Sequence, residues 1–486
     1  MVNKRVAIIG LDGVPYNFIN LARDLMPNVY MLASRGVHKI LYSILPPYTP
    51  PAWTSIATGV NPGKHGVFDF HIVRKTSTGF VSRIATALDV KYPRIHDMLE
   101  VHRMKSIVCN LPLTYPPWIA GGKHSIIIND WMAPEIRMHP RELESRYLHY
   151  FNKGLEALDL KGSSEESFRI MAERVEHTSA GLLELMDNTD WNLLFAVFSE
   201  PDWSMHGNTR IVRGDFTPES RRVFQKIDWF VRKVLDYTDN IIIVSDHGFT
   251  LCPYIVNPGY ILKQHGLASE YKFSETMTLE IKGKKLRIPP AVMRFIRKHK
   301  KLKAFLRKLL FKTASSSSRE RRREIPYHET KTIAPDAGII YVAPGYKDEV
   351  KNLLLGRPEI KNVYEPRDLY WGPYVGNAPD LIIEPLHDYC IGTLTHKYIT
   401  RQASMHNRDG IFILNLSDDN NVVKEALDKF DRLMLWDIVP LALYILGLPL
   451  PDDTDSVLLQ ILEDTKKENY LAKYKLMLKL RRIKPA

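Results

Sequence analysis

Three aspartates and three histidines in this chain stand beside apolar runs, where side chains of their type can converge on a metal ion. Asp12 follows Val6-Ala7-Ile8-Ile9-Gly10-Leu11. Asp202 and His206 follow Asn192-Leu193-Leu194-Phe195-Ala196-Val197-Phe198. Asp246 and His247 follow Ile242-Ile243-Val244-Ser245, and His406 precedes Gly410-Ile411-Phe412-Ile413-Leu414. Neighbouring side chains on a strand point to opposite faces, so Asp246 and His247 can converge only in the loop past it. Open α/β sheets carry their sites at those carboxyl edges. Zinc-type ions take imidazole nitrogen and carboxylate oxygen, usually in fours. The six residues are a sufficient ligand inventory for two ions roughly 4 Å apart, the spacing that clamps a phosphate.

Such a centre needs a nucleophile whose pKa the metal lowers. Pro47-Tyr48-Thr49-Pro50-Pro51-Ala52-Trp53-Thr54 offers Thr49, after a short apolar run and before a helix. A helix N-terminus presents free N–H groups to an anion. Pro50 and Pro51 have none. The backbone donors expected for a substrate oxygen are therefore Thr49 and the residues from Ala52 and Trp53 onward. Each feature has a plain reading when taken singly. Asp12 could close a turn, Thr49 could open a helix, and His206 could lie on a helix surface. His65 and His396 have no ligand partner at short spacing and read as structural.

The order of the motifs adds weight. Asp12-Gly13, Thr49-x-Pro51 through Thr58-Gly59, Pro62-Gly63-Lys64-His65-Gly66, Glu200-Pro201-Asp202-x-x-x-His206, Ser245-Asp246-His247-Gly248 and His406-x-x-Asp409-Gly410 occur in sequence. The chain resembles the alkaline phosphatase superfamily, in its type I phosphodiesterase/nucleotide pyrophosphatase branch. The resemblance implies one zinc on Asp202, His206 and His406. It implies a second ion among Asp12, Thr49, Asp246 and His247, with Thr49 as nucleophile and a phospho-threonine intermediate. Mn²⁺ or another divalent ion would suit the same ligands. The branch usually carries Asn three residues after the nucleophile, and Ala52 stands there instead. That departure bears on diester specificity more than on hydrolysis. A phosphomutase or phosphotransferase on the same core is the first alternative; an inactive membrane- or polyanion-binding relative is the second. Sulfatase chemistry requires a Cys-x-Pro-x-Arg precursor, which Cys109, Cys252 and Cys390 do not supply.

The elements that must position these residues alternate. Strand, helix, strand, loop and helix fill residues 1–70, with a helix expected over 23–35 and another starting near Thr54. Further apolar runs cover 106–110 and 125–128, helical composition fills 140–190, and strands are expected at 192–198 and 240–245. The rhythm resumes near 338–342, 380–384 and 411–415. This alternation predicts an α/β fold, a doubly wound and mostly parallel sheet with helices on both faces. Residues 1–250 and 331–486 would form the core, and 251–330 a basic, largely helical inserted cap.

Composition is ordinary for a globular chain, with 45% hydrophobic and 25% charged residues. Three cysteines, odd in number and far apart, argue against a disulfide scaffold and suggest a reducing compartment. No basic stretch followed by an apolar segment opens the chain, so the expected location is cytoplasmic. Leu433–Leu450 is interrupted by Asp437 and Pro440 and reads as a buried helix rather than a membrane span. The net charge of +12 is local. Residues 282–323 hold 17 Lys plus Arg and one acid, or +16, leaving 12 − 16 = −4 elsewhere. Within it, residues 289–312 approximate a basic amphipathic helix. That helix fits an anionic membrane surface. It also fits a solvated lid packed on the core and, less well, nucleic acid. The expected substrate is a phosphate ester of small-molecule, nucleotide or lipid type. Oligomeric state is not legible.

Overall fold

The computed structural model describes residues 4–152, 164–269, 278–281, 284–287, 324–334, 338–392, 398–417, 421–460, 462 and 465–483. Nine strands form the central sheet. Numbered in chain order they are β1 (Val6–Leu11), β2 (Val37–Tyr42), β3 (Ser106–Cys109), β4 (Ser125–Ile128), β5 (Met138–His139), β6 (Leu193–Phe198), β7 (Ile241–Val244), β8 (Asp409–Asn415) and β9 (Arg432–Met434). Their spatial order is β9-β2-β8-β7-β1-β6-β3-β4-β5. β8 is antiparallel to both neighbours, and β5 to β4. The other seven strands run one way.

Both faces of the sheet are buried, as a parallel sheet requires. Alternate residues of one strand enter different cores. Val6 and Ile8 join Leu193, Phe195 and Val197 on one face. Ala7, Ile9 and Leu11 join Leu194, Ala196 and Phe198 on the other. The first face carries the helices Thr49–Thr58 and Ile438–Leu446; the second carries Pro27–Arg35, Glu165–Asp187 and Pro218–Val234. The chain is therefore doubly wound α/β, as its alternation predicts. Gly447, at φ +73°, closes the apolar helix Ile438–Leu446. No helix among the described residues is long and apolar enough to cross a membrane.

Smaller sheets sit on the core. Strand Gly248–Val256 lies between Tyr389–Ile391 and Ile399–Asn407. Thr332–Ile333, Ile339–Val342, Leu381–Pro385 and Ile360–Tyr364 form a four-stranded sheet of their own. The strands expected at 338–342 and 380–384 thus exist, but outside the central sheet. Between 251 and 330 the described elements are the end of strand Gly248–Val256, helix Pro258–Gln264, paired strands Thr278–Ile281 and Lys284–Arg287, and strand Glu324–Pro326. The amphipathic stretch 289–312 and His396 lie outside the described residues.

The cysteine reading needs correction. Cys252 and Cys390 form a disulfide between neighbouring strands, with Cα atoms 5.9 Å apart. They are 138 residues apart in sequence, so only the fold reveals the pairing. Cys109 is free and buried.

Candidate metal centre

Five elements deliver the six ligand candidates and Thr49 to one sheet edge. Asp12 directly follows β1, and its N–H extends the ladder to Phe198 O at 3.0 Å. Asp246 and His247 follow β7. Asp202 and His206 are four apart on the helix Glu200–Gly207, which places both on one face. His406 closes strand Ile399–Asn407, just before β8 begins at Asp409. Because β8 runs against its neighbours, its start lies at the edge where the parallel strands end. Thr49 is the first residue of its helix, five residues earlier than expected. Proline is tolerated in a first helical turn, so Pro50 and Pro51 extend the helix rather than delay it.

Donor atoms converge in two groups that share a wall. In one, Asp12, Asp246 and His247 place ligand atoms within 4.8 Å of one another. His247 Nε2 is 3.3 Å from Asp246 Oδ2, 3.8 Å from Asp12 Oδ1 and 3.3 Å from Thr49 Oγ1. In the other, Asp202 Oδ1 is 3.2 Å from His406 Nε2 and 3.6 Å from His206 Nε2, and those two nitrogens are 2.9 Å apart. A tetrahedral ion with ligands near 2.05 Å separates them by roughly 3.3 Å, so both sets have the right scale. Asp202, His247 and His406 also satisfy the 4.8 Å criterion together. The His247 and His406 rings stack with centroids 3.7 Å apart. His206 Nε2 lies near Asp202 and His406, and His247 stands between the two groups.

Backbone carbonyls fix the ring orientations. His406 Nδ1 faces Pro47 O at 3.1 Å, and His247 Nδ1 faces Gly248 O at 3.2 Å. A carbonyl only accepts, so Nδ1 carries a proton in both rings and Nε2 faces the site. Asp246 is held as well, through its carboxylate and through its backbone carbonyl. Gly13 N–H donates to Asp246 Oδ1 at 3.3 Å, and Ser43 Oγ donates to Asp246 O at 2.6 Å.

The electrostatics call for cations. Asp12 Oδ1, Asp202 Oδ1 and Asp246 Oδ2 are buried with no hydrogen-bond partner. An unmet buried carboxylate oxygen is costly. Burial first, then repulsion from Asp246 and Asp202, holds the Asp12 carboxyl well above its usual range. Burial, with repulsion from Asp202, likewise raises Asp246. Burial would raise Asp202 too, but the His206 and His406 imidazoles outweigh it and hold Asp202 at about 2. Burial, then the charge of His406, depresses His247 and favours its neutral ligand form. Three carboxylates against three imidazoles is a donor set that divalent cations neutralise.

The Ala52 N–H is committed to Tyr48 O at 3.0 Å, and the Trp53 N–H belongs to the helix ladder. Both side chains are fully buried. Trp53 packs on Phe195 and against Gly10, where a Cβ would lie 2.4 Å from the indole. The structure adds Ser43 and Phe249 to the site and gives Gly13 and Ser245, already within the motifs, their contacts there. Ser245 Oγ donates to Val14 O at 2.7 Å and accepts from Ile411 N–H at 2.8 Å, tying β7 to β8 and to the Asp12 turn. Ser245 and Phe249 flank the Asp-His-Gly motif, so proximity was a signal for them. Ser43 had none.

The nine-stranded, doubly wound sheet thus carries an Asp/His cluster at its carboxyl edge. The sequence model of the type I phosphodiesterase/nucleotide pyrophosphatase family matches residues 6–397, and the chain belongs to that family of phosphoryl hydrolases. No curated protein matches the sequence. Among solved structures, phosphonoacetate hydrolase from Sinorhizobium meliloti 1021 in complex with phosphonoformate superposes with a TM-score of 0.56 at 13% identity, covering 91% of this chain and 96% of that one. An inactive murine ectonucleotide pyrophosphatase/phosphodiesterase 5 in complex with AMP gives 0.54 at 14% identity, covering 95% and 99%. At these identities the likeness is one of fold.

Proposed function

We propose that this protein is a two-metal phosphoesterase in which Thr49 is the nucleophile. The observation that carries the reading is the convergence of six Asp/His donors, three of them with unpartnered buried oxygens, beside the Thr49 hydroxyl. Asp12, Asp246 and His247 would hold one divalent ion with Thr49; Asp202, His206 and His406 would hold the other. Such ions, zinc being the best match to the donors, supply Lewis-acid polarisation of a phosphoryl oxygen and lower the pKa of bound hydroxyls.

The chain's own part is positioning. The helix Thr49–Thr58 aims the Thr49 hydroxyl, and burial of Thr49 limits competing water. As the Oγ–P bond forms, Thr49 loses its proton and the P–O bond to the leaving group breaks. The leaving oxygen takes a proton from water, and the hydroxide so formed takes the proton that Thr49 lost. A second water then attacks phosphorus, breaks the Oγ–P bond and restores the hydroxyl. Ala52 offers no side-chain amide, so the non-bridging oxygens would depend on the two clusters. The substrate class is a phosphate ester; the family and the AMP complex of its structural relative favour a nucleotide-type diester. Residues 251–330 would be an insertion into one catalytic core.

The test is turnover of aryl phosphomonoesters and diesters by zinc-loaded protein. Thr49→Ala should lower kcat on the order of 10³-fold or more, with folding and bound metal retained. Thr49→Ser, which keeps the oxygen, should recover part of it. Wild-type rates in Thr49→Ala would refute the mechanism.

A further inference from the structure

We propose that Phe249 is a positioning residue that holds the site's histidines in ligating orientation, an inference that rests on the two-metal reading above. Phe249 lies two residues past His247 and is 2% exposed. Antiparallel pairing sets it opposite His406. Its ring centroid is 4.9 Å from that of His406 at 73° and 4.8 Å from that of His206 at 80°. The His247 ring follows at 6.1 Å and 58°. Rings crossing at steep angles over such distances interact edge to face, an arrangement that resists rotation.

One apolar ring thus contacts imidazoles from three different segments. A phenyl group has neither donor nor lone pair, so it orients the imidazoles without competing for Nε2. The carbonyls of Pro47 and Gly248 fix which nitrogen carries the proton on His406 and His247. Phe249 adds a constraint on ring rotation and reaches His206 as well. It cannot retreat. Gly13, at φ +72°, lies so close that a Cβ there would meet Phe249 Cε2 at 2.8 Å and Asp202 Oδ1 at 3.1 Å. The Asp12-Gly13 turn therefore backs the ring that backs the histidines.

Phe249→Leu keeps apolar bulk and removes the ring. Metal-free full-length protein would be titrated with Zn²⁺ calorimetrically, then with Co²⁺ while its visible spectrum is recorded. Wild-type protein should take up two ions. Phe249→Leu should bind one of them about tenfold or more weakly, the size of effect that groups behind metal ligands exert. The second ion should remain tight, and the Co²⁺ bands should shift or broaden. Phe249→Met serves the same purpose if the leucine variant does not fold. A folded variant that binds both ions with wild-type affinity and spectrum overturns this inference alone. Wild-type protein that binds no ion overturns the two-metal reading and this inference with it.

Discussion

A buried histidine close to the nucleophile helix shows how the same side chain serves a different end. His65 is fully buried, and its Nδ1 accepts from Val67 N–H at 3.2 Å. Its Nε2 must then carry the proton, which it gives to Ser55 Oγ at 3.0 Å. Ser55 lies on the helix that begins at Thr49. Burial, then the nearby Arg94 charge, lowers the His65 pKa to about 3, so the ring stays neutral across the working range. The six ligand candidates turn donor atoms toward one another; His65 turns both nitrogens to satisfied partners. These contacts support its structural reading although it sits in a conspicuous Pro-Gly-Lys-His-Gly motif. Lys64 of that motif is equally structural, pairing with Asp455 at 2.8 Å. His65→Ala would leave the Val67 N–H and Ser55 hydroxyl unmet and open a cavity. It should cost about 2–4 kcal/mol of stability. Denaturant unfolding measures that loss, and metal stoichiometry in the folded variant should not change.

At the scale of elements, the site depends on how closely the nucleophile helix lies on the sheet. Trp53 is the anchor, and β1 accepts it only because residue 10 has no side chain. Gly10→Ala would place a Cβ 2.4 Å from the indole and 3.0 Å from Val197. Overpacking of this kind costs about 1–3 kcal/mol. Trp53 is the fifth residue of the helix that Thr49 begins, so the strain should also displace Thr49. Turnover by Gly10→Ala, assayed well below its melting temperature, should fall further than its folded fraction does. Equal losses would show that the helix moves without disturbing the hydroxyl.

Legibility in the sequence follows the same division. β1 and β7 are continuous apolar runs buried on both faces, and Asp12 and Asp246 follow them within two residues, so strand and candidate site are legible together. Proximity in sequence found Asp202 and His206 as well, since four residues on a helix is one face. What remained hidden depends on long-range pairing. No local pattern says that β8 enters the sheet backwards, which is what brings His406 to the common edge. Nor does any local pattern say that the chain after His247 continues as strand Gly248–Val256 and pairs with Ile399–Asn407. The Cys252–Cys390 bond is a consequence of that same arm. The helix expected from near Thr54 begins at Thr49 instead, because proline is compatible with a first helical turn.

For the molecule as a whole, the cluster is the place where distant parts of the chain are joined. Its donors come from residues 12, 202, 206, 246, 247 and 406, with Thr49 beside them. His247 directly precedes strand Gly248–Val256 and His406 lies in strand Ile399–Asn407, and those two strands pair in one of the smaller sheets. Ions that bind this arrangement and not the unfolded chain stabilise it by mass action, about 4 kcal/mol at a free concentration 1,000 times Kd. Their removal leaves Asp12 and Asp246 buried, close together and with unpartnered oxygens. Chelation should therefore destabilise the protein as well as silence it. The melting temperature should fall on dialysis against a strong chelator and return on addition of Zn²⁺, with a midpoint that rises as free Zn²⁺ rises. Asp246→Asn provides the contrast, since it removes a charge from the cluster. Its metal-free form should melt no lower than metal-free wild type, while its recovery with Zn²⁺ should be smaller. If chelated and zinc-loaded wild type melt at the same temperature, the cluster is held together by its own hydrogen bonds and packing, and the ions are not structural.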